Sequence, residues 1–224
     1  QGKLGRTQDA LASYNKAIEL NPGFLEAHAN RGRCLVELDQ LTDALAVYNK
    51  LIELKPDVAK YYFSRGEIQL KLELSDAALA SFQKAYSNDP KISLASVHIS
   101  RIIRDKGMFT ESEEVLRRAL AVEKDYILDY ELGILLASTE RYSDAKRHLL
   151  NAINLKADFA PAHASLGAVS SKLGEIQEAI QNYINATLEK KKIKEGIEIA
   201  NVAITDFNFS DEFNRAIEMK VKAE

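Results

Sequence analysis

The chain has 224 residues, 46% of them apolar and 28% charged, with a formal net charge of -3. That composition excludes wholesale disorder, and the near-neutral balance removes any electrostatic case for binding nucleic acid or an anionic membrane surface. Cys34 is the only cysteine, which excludes a disulfide framework and a thiolate metal cluster and favours a reducing, cytoplasmic compartment.

No apolar run reaches the roughly 18 residues that a membrane-spanning helix needs. The chain begins with Gln1, so it is expected to be a piece of a longer protein. Its dominant signal is internal repetition. Pro22, Pro56 and Pro90 stand 34 residues apart, and Gly32, Gly66, Ser100, Gly133 and Gly167 follow in steps of 34, 34, 33 and 34. Ala10, Ala44, Ala78, Ser112, Ala145 and Ala179 keep the same register, as do Tyr14, Tyr48, Phe82, Leu116, Leu149 and Tyr183. Three ladders in one register mean one helical hairpin written several times.

Taken in order, Gly2–Arg6 is predicted as a hairpin turn and 7–20 as a second helix, so 1–24 reads as the latter half of a repeat. In 25–58 the positions Ala29, Gly32, Leu35, Val36 and Leu38 follow helical spacing. Thr42 is the expected N-cap of the partner helix, whose buried stripe is Leu45, Tyr48, Leu51 and Ile52. Pro56 cannot continue that helix and sets the turn into the next unit. Further units are expected at 59–92, 93–125, 126–159 and 160–192. The unit at 93–125 is degenerate, with serine in both small places, and the 33-residue step predicts a shortened turn around Val122–Ile127. Residues 193–224 are expected to form a divergent sixth hairpin or cap, with Ile193, Ile197, Ala200 and Ile204 on one face and Phe213, Ala216, Ile217 and Val221 on another. The glycine and alanine ladders have a steric reading: helix axes about 8–10 Å apart leave room for hydrogen or methyl where they cross most closely.

Nothing here has the layout of a catalytic site. His28, His98, His148 and His163 lack metal-ligand spacing on a helix, and no Gly-x-Ser-x-Gly turn is present. His28 and His163 share one repeat place, which points to packing. A non-enzyme without metal or cofactor is expected.

The pattern resembles the tetratricopeptide repeat over nearly the whole chain. That resemblance implies an all-α, right-handed superhelical solenoid of antiparallel helix hairpins, with a concave groove lined by the first helix of each repeat. Carried over place by place, the groove would take Asn30, Arg33 and Glu37, then Lys60, Phe63, Ser64, Glu67 and Lys71. Val97, His98, Arg101 and Asp105 would follow, then Tyr130, Glu131 and Ile134, with small residues in the fifth unit. Phe63 and Tyr130 are the expected exposed aromatics. The family's carboxylate clamp is not matched, since Ala29, Arg33, Phe63 and Glu67 stand in its first places, and its asparagine ladder is met only by Asn30. The expected function is a protein–protein interaction scaffold that holds a peptide, helix or protein. Two alternatives remain open: the regulatory or substrate-presenting part of a glycosyl- or sulfotransferase, and a homo-oligomeric scaffold self-associating through the open face of Leu11, Tyr14 and Ile18.

Overall fold

The computed structural model of the chain describes residues 2–191, so the expected hairpin or cap at 193–224 lies outside the described residues. Every described element is an α-helix, and the described residues divide between two compact units, Gln1–Glu123 and Lys124–Glu224. In the first unit α1 (Gly2–Leu20) is followed by three antiparallel pairs. These are α2 (Leu25–Glu37) with α3 (Leu41–Leu54), α4 (Ala59–Lys71) with α5 (Ser75–Asn88), and α6 (Ser93–Asp105) with α7 (Phe109–Val122). The second unit holds α8 (Tyr126–Ser138) with α9 (Tyr142–Leu155), then α10 (Ala160–Lys172) with α11 (Ile176–Lys191).

The hairpin turns are made by the backbone. Asp39, Glu73, Gly107, Glu140 and Gly174 take positive φ, between 58° and 80°. The next residue then donates its N–H back into the finished helix, as Gln40 does to the Leu35 carbonyl (2.8 Å) and Glu175 to that of Ser170 (2.9 Å). This is the left-handed C-terminal motif that closes orphaned carbonyls. It also moves the expected cap: α3 starts at Leu41, Gln40 occupies the N-cap place without a side-chain bond, and Thr42 is inside the helix. The turn geometry fixes where α3 starts, so no hydroxyl cap is required.

Between repeats, four-residue connections close on themselves, as where Phe24 N–H donates to the Asn21 carbonyl (3.0 Å) and Phe159 N–H to that of Lys156 (3.2 Å). The connection between α7 and α8 is one residue shorter, residues 123–125. There the Asp125 carboxylate caps α8 by accepting from Ile127 N–H at 3.0 Å. Residues 2–6, expected as a turn, are the first turns of α1.

Within each unit the core is built of repeated seams. Ala44, Tyr48 and Leu51 are 0%, 3% and 1% exposed, and Ala78, Phe82 and Ala85 are all 0%. What the glycine ladder faces is the aromatic ladder. A Cβ on Gly66 would stand 2.7 Å from the Phe82 ring, one on Gly32 2.8 Å from Tyr48, and one on Gly133 2.8 Å from Leu149. The small residue is therefore a socket for the large side chain sixteen residues later, a more specific demand than helix proximity. In the third pair the socket is polar: Ser100 and Ser112 share a hydrogen bond at 2.7 Å, and Ser112 also donates to the Ser100 carbonyl at 2.9 Å.

Candidate functional site

α2 and α4 lie one repeat apart, so places that recur every 34 residues stand side by side on them. Between them opens a cleft of about 260 Å³, lined by Arg33, Val36, Glu37, Tyr48, Ser64, Glu67, Ile68 and Lys71. Its floor is apolar, from Val36, Ile68 and the Tyr48 ring. Its rim alternates cation and carboxylate. Arg33, Glu37, Glu67 and Lys71 are exposed and Ser64 is half-buried.

The rim is partly committed already. Glu37 accepts from the Thr7 hydroxyl of α1 at 3.0 Å, which ties the cleft to the first helix. Arg33 donates to the Asn30 side-chain oxygen at 3.4 Å. Partial burial of the otherwise exposed Glu67 carboxyl against the cleft pushes it up from its ordinary value, against the pull of Lys71. Burial likewise pushes the Tyr48 hydroxyl up, and that hydroxyl donates to the Ala29 carbonyl at 3.5 Å. Both shifts have one cause: the charged form of each group is poorly solvated at the cleft.

Of the sequence-derived candidates, Arg33, Glu37, Ser64, Glu67 and Lys71 thus come together. Asn30 stands beside the cleft through its bond to Arg33. Lys60 and Arg101 are exposed on α4 and α6 outside the cleft lining. Phe63 is not an open aromatic: it is half-buried, edge-on to Phe82 at 5.6 Å, and His98 stacks on Phe82 at 4.5 Å with an 11° interplanar angle. Val97 is 1% exposed and belongs to the core of α6, which buries residues on nearly all sides. Tyr130 and Glu131 belong to the second unit. Tyr130 packs edge-on against Phe159 at 5.1 Å. Glu131 is 3% exposed and so withdrawn from any surface, because α8 is enclosed around most of its circumference.

Sequence reasoning missed three arrangements. Tyr48 reads as a core residue, yet its polar end reaches the cleft. Arg65 donates to Ser81 (3.0 Å) and Asn49 (3.3 Å), and Ser81 donates to Gln69 (2.6 Å), which links α3, α4 and α5. In the second unit His148 Nδ1 and Asp129 Oδ1 pair at 2.7 Å, while His148 Nε2 is buried without a hydrogen-bond partner among the described residues. Polar residues at core places were the available signal for the last two. The packing reading of His28 and His163 holds: each ring Nε2 meets a carbonyl of the preceding connection, Pro22 at 2.9 Å and Ala157 at 2.8 Å. Among the described residues no group of three or more His, Cys, Asp and Glu could hold a metal ion, and no helix is long and apolar enough to cross a membrane.

Comparison with known proteins follows the same lines. One model of the tetratricopeptide repeat matches residues 3–63 and a second matches residues 36–92. A model of the SPFH domain / Band 7 family matches residues 138–224, a range whose described part is helical. A probable UDP-N-acetylglucosamine–peptide N-acetylglucosaminyltransferase SPINDLY of Hordeum vulgare is 27% identical over 110 residues, 46% of this chain and 12% of that protein. The chain therefore aligns with a small fraction of this relative. Among solved structures, MamA is 20% identical with a TM-score of 0.62, covering 72% of this chain and 95% of that one. YrrB, described as a TPR protein with an unusual peptide-binding site, is 20% identical with a TM-score of 0.58 over 80% and 92%. PilW, a type IV pilus biogenesis factor, is 17% identical with a TM-score of 0.66 over 90% and 96%. At such identities these structures share the fold.

Proposed function

We propose that the chain, whose residues 3–92 match models of the tetratricopeptide repeat, is a non-catalytic cytoplasmic scaffold whose α2–α4 cleft holds an extended segment of another protein. The observation that carries this reading is the rim of the cleft. An extended backbone presents N–H and C=O groups in alternation. Arg33, Ser64 and Lys71 supply donors for the carbonyls, and Glu37 and Glu67 supply acceptors for the N–H groups. Val36, Ile68 and the Tyr48 ring leave an apolar floor for one aliphatic side chain. Both backbones are helical through the cleft, so the partner does not have to order them on binding.

Selection of displayed random peptides on the immobilised chain tests this. Peptides with one aliphatic anchor between polar residues should be enriched, and a Ser64→Phe chain, whose cleft is filled, should not retain them. Peptides that bind both chains alike would sink the proposal. The similarity to the barley transferase supports a second reading, in which the same cleft presents protein substrates to the catalytic part of a larger glycosyltransferase. Enriched peptides rich in serine and threonine would favour it.

A further inference from the structure

At the edge of the first unit where the hairpins turn, two neighbouring repeats depart from a rule that the others keep. The residue just before the second helix of each hairpin is, in chain order, Gln40, Leu74, Met108, Arg141 and Glu175. Its backbone does the same thing every time. It follows a left-handed residue and donates its N–H into the finished first helix, as Leu74 does to the Gln69 carbonyl (2.8 Å) and Met108 to that of Ile103 (3.2 Å). Gln40, Arg141 and Glu175 show that a polar side chain serves this place. Leu74 and Met108 are nevertheless apolar, 47% and 43% exposed, and Phe109, the next residue after Met108, is 43% exposed. The turn does not require these side chains to be apolar, and water opposes their exposure.

The three form one patch. Lys106 of the third turn donates to the Asp76 carboxylate of α5, so the second and third turns lie side by side. Leu74 and Met108 then stand one helix diameter apart, ~10 Å. Residues seven places apart on one face of an α-helix are separated by almost the same length, at about 1.5 Å per residue. Carboxylates border the patch at both ends: Glu73 precedes Leu74, and Glu111 comes two residues after Phe109. Asp76 is taken up by Lys106, whereas Glu73 and Glu111 are exposed and in no ion pair among the described residues.

We propose that the turn edge formed by Leu74, Met108 and Phe109 docks an amphipathic helix of another protein, with two aliphatic side chains seven residues apart and lysine or arginine outside them. The aliphatic pair covers Leu74 and the Met108–Phe109 step, and the basic residues answer Glu73 and Glu111. The unbranched Met108 side chain can adapt to the shape it meets. Size argues against a second copy, because three apolar side chains fall far short of the roughly 20 residues a side that a stable interface engages. The two uncompensated carboxylates argue against an anionic membrane surface. The edge shares no lining residue with the α2–α4 cleft, so it stands independently of that reading.

The test is a selection on the immobilised full chain from a displayed library of helical peptides randomised at their surface positions. Enriched helices should carry aliphatic residues at i and i+7 with lysine or arginine outside them. The most enriched helix is then synthesised and titrated against three variants. Leu74→Gln/Met108→Gln makes both turns polar, as the first turn already is at Gln40, and should lower affinity at least tenfold with the melting midpoint unchanged. Glu73→Lys/Glu111→Lys should lower affinity at least fivefold. Ser64→Phe, which fills the cleft, should leave it unchanged. A library without enriched helices, retained affinity in either of the first two variants, or a loss in Ser64→Phe would overturn the proposal. Sedimentation of the parent against concentration decides on the other occupant. A dimer that Leu74→Gln/Met108→Gln dissolves would assign the edge to a second copy and overturn the occupant proposed here, whereas a monomer at every concentration agrees with it.

Discussion

The second and third hairpins of the first unit solve one packing problem in two ways. In α4/α5 the seam is steric, with Gly66 leaving space that the Phe82 ring fills completely. In α6/α7 the corresponding places are Ser100, Ser112 and Leu116, and the seam is closed by hydroxyls that bond each other and a carbonyl. Both seams are fully buried, with Phe82 and Leu116 at 0%. The repeat therefore constrains volume and polar satisfaction, and residue identity only through them.

Four substitutions or conditions sharpen that contrast. Gly66→Leu should have the largest effect, about 3 kcal/mol of destabilisation, because Phe82 is enclosed and cannot yield to a new side chain. Chemical denaturation measures it, and a parent-like midpoint would mean the socket is not needed. Ser112→Ala should cost about 1 kcal/mol by leaving the buried Ser100 hydroxyl without its partner, while the Ser100→Ala/Ser112→Ala pair should cost less than that single change. A double variant worse than the single one would show that the serine seam does not work through mutual satisfaction. Glu73→Gly should stabilise the second hairpin by about 0.5–1 kcal/mol, since Glu73 holds φ 59° where glycine is unstrained. The third hairpin already has Gly107 there and offers no such gain.

The fourth concerns the seam between hairpins in the second unit. Lys146 of α9 reaches Glu175 at 2.8 Å and Glu178 at 2.7 Å, and these bonds raise its pKa above 10.5. A raised lysine contributes stability that is fully present below the unfolded value and is lost as pH rises through the folded one. Stability should therefore fall more steeply above pH 10.5 in the parent than in Lys146→Met, by a small amount because the pair is partly solvated. Matching pH profiles would remove the ion pairs from the account.

Much of the fold was legible because its determinants are periodic. Gly32, Ala44 and Tyr48 recur in fixed register, and a ladder identifies both helices and their contact. The cleft was half legible: Arg33, Glu37 and Glu67 follow from register alone. Tyr48 was hidden because one side chain does two jobs, its ring filling the socket at Gly32 while it also lines the cleft. Glu131 shows the converse: its place in the repeat is a groove place, yet it is 3% exposed. The Asp129–His148 pair escaped because a pairing specific to one hairpin has no ladder to reveal it. The Thr42 cap failed because Asp39 in left-handed geometry makes a side-chain cap unnecessary.

The most direct test of the scaffold reading is a titration of a display-selected peptide against the parent chain and an Arg33→Ala/Lys71→Ala variant. Arg33 and Lys71 are exposed rim residues, so stability should change by no more than about 0.5 kcal/mol. Affinity should fall at least tenfold, about 1.4 kcal/mol, if the cleft between α2 and α4 holds the peptide backbone. Unchanged affinity in a variant that melts like its parent would contradict the account and move the binding surface elsewhere on the chain.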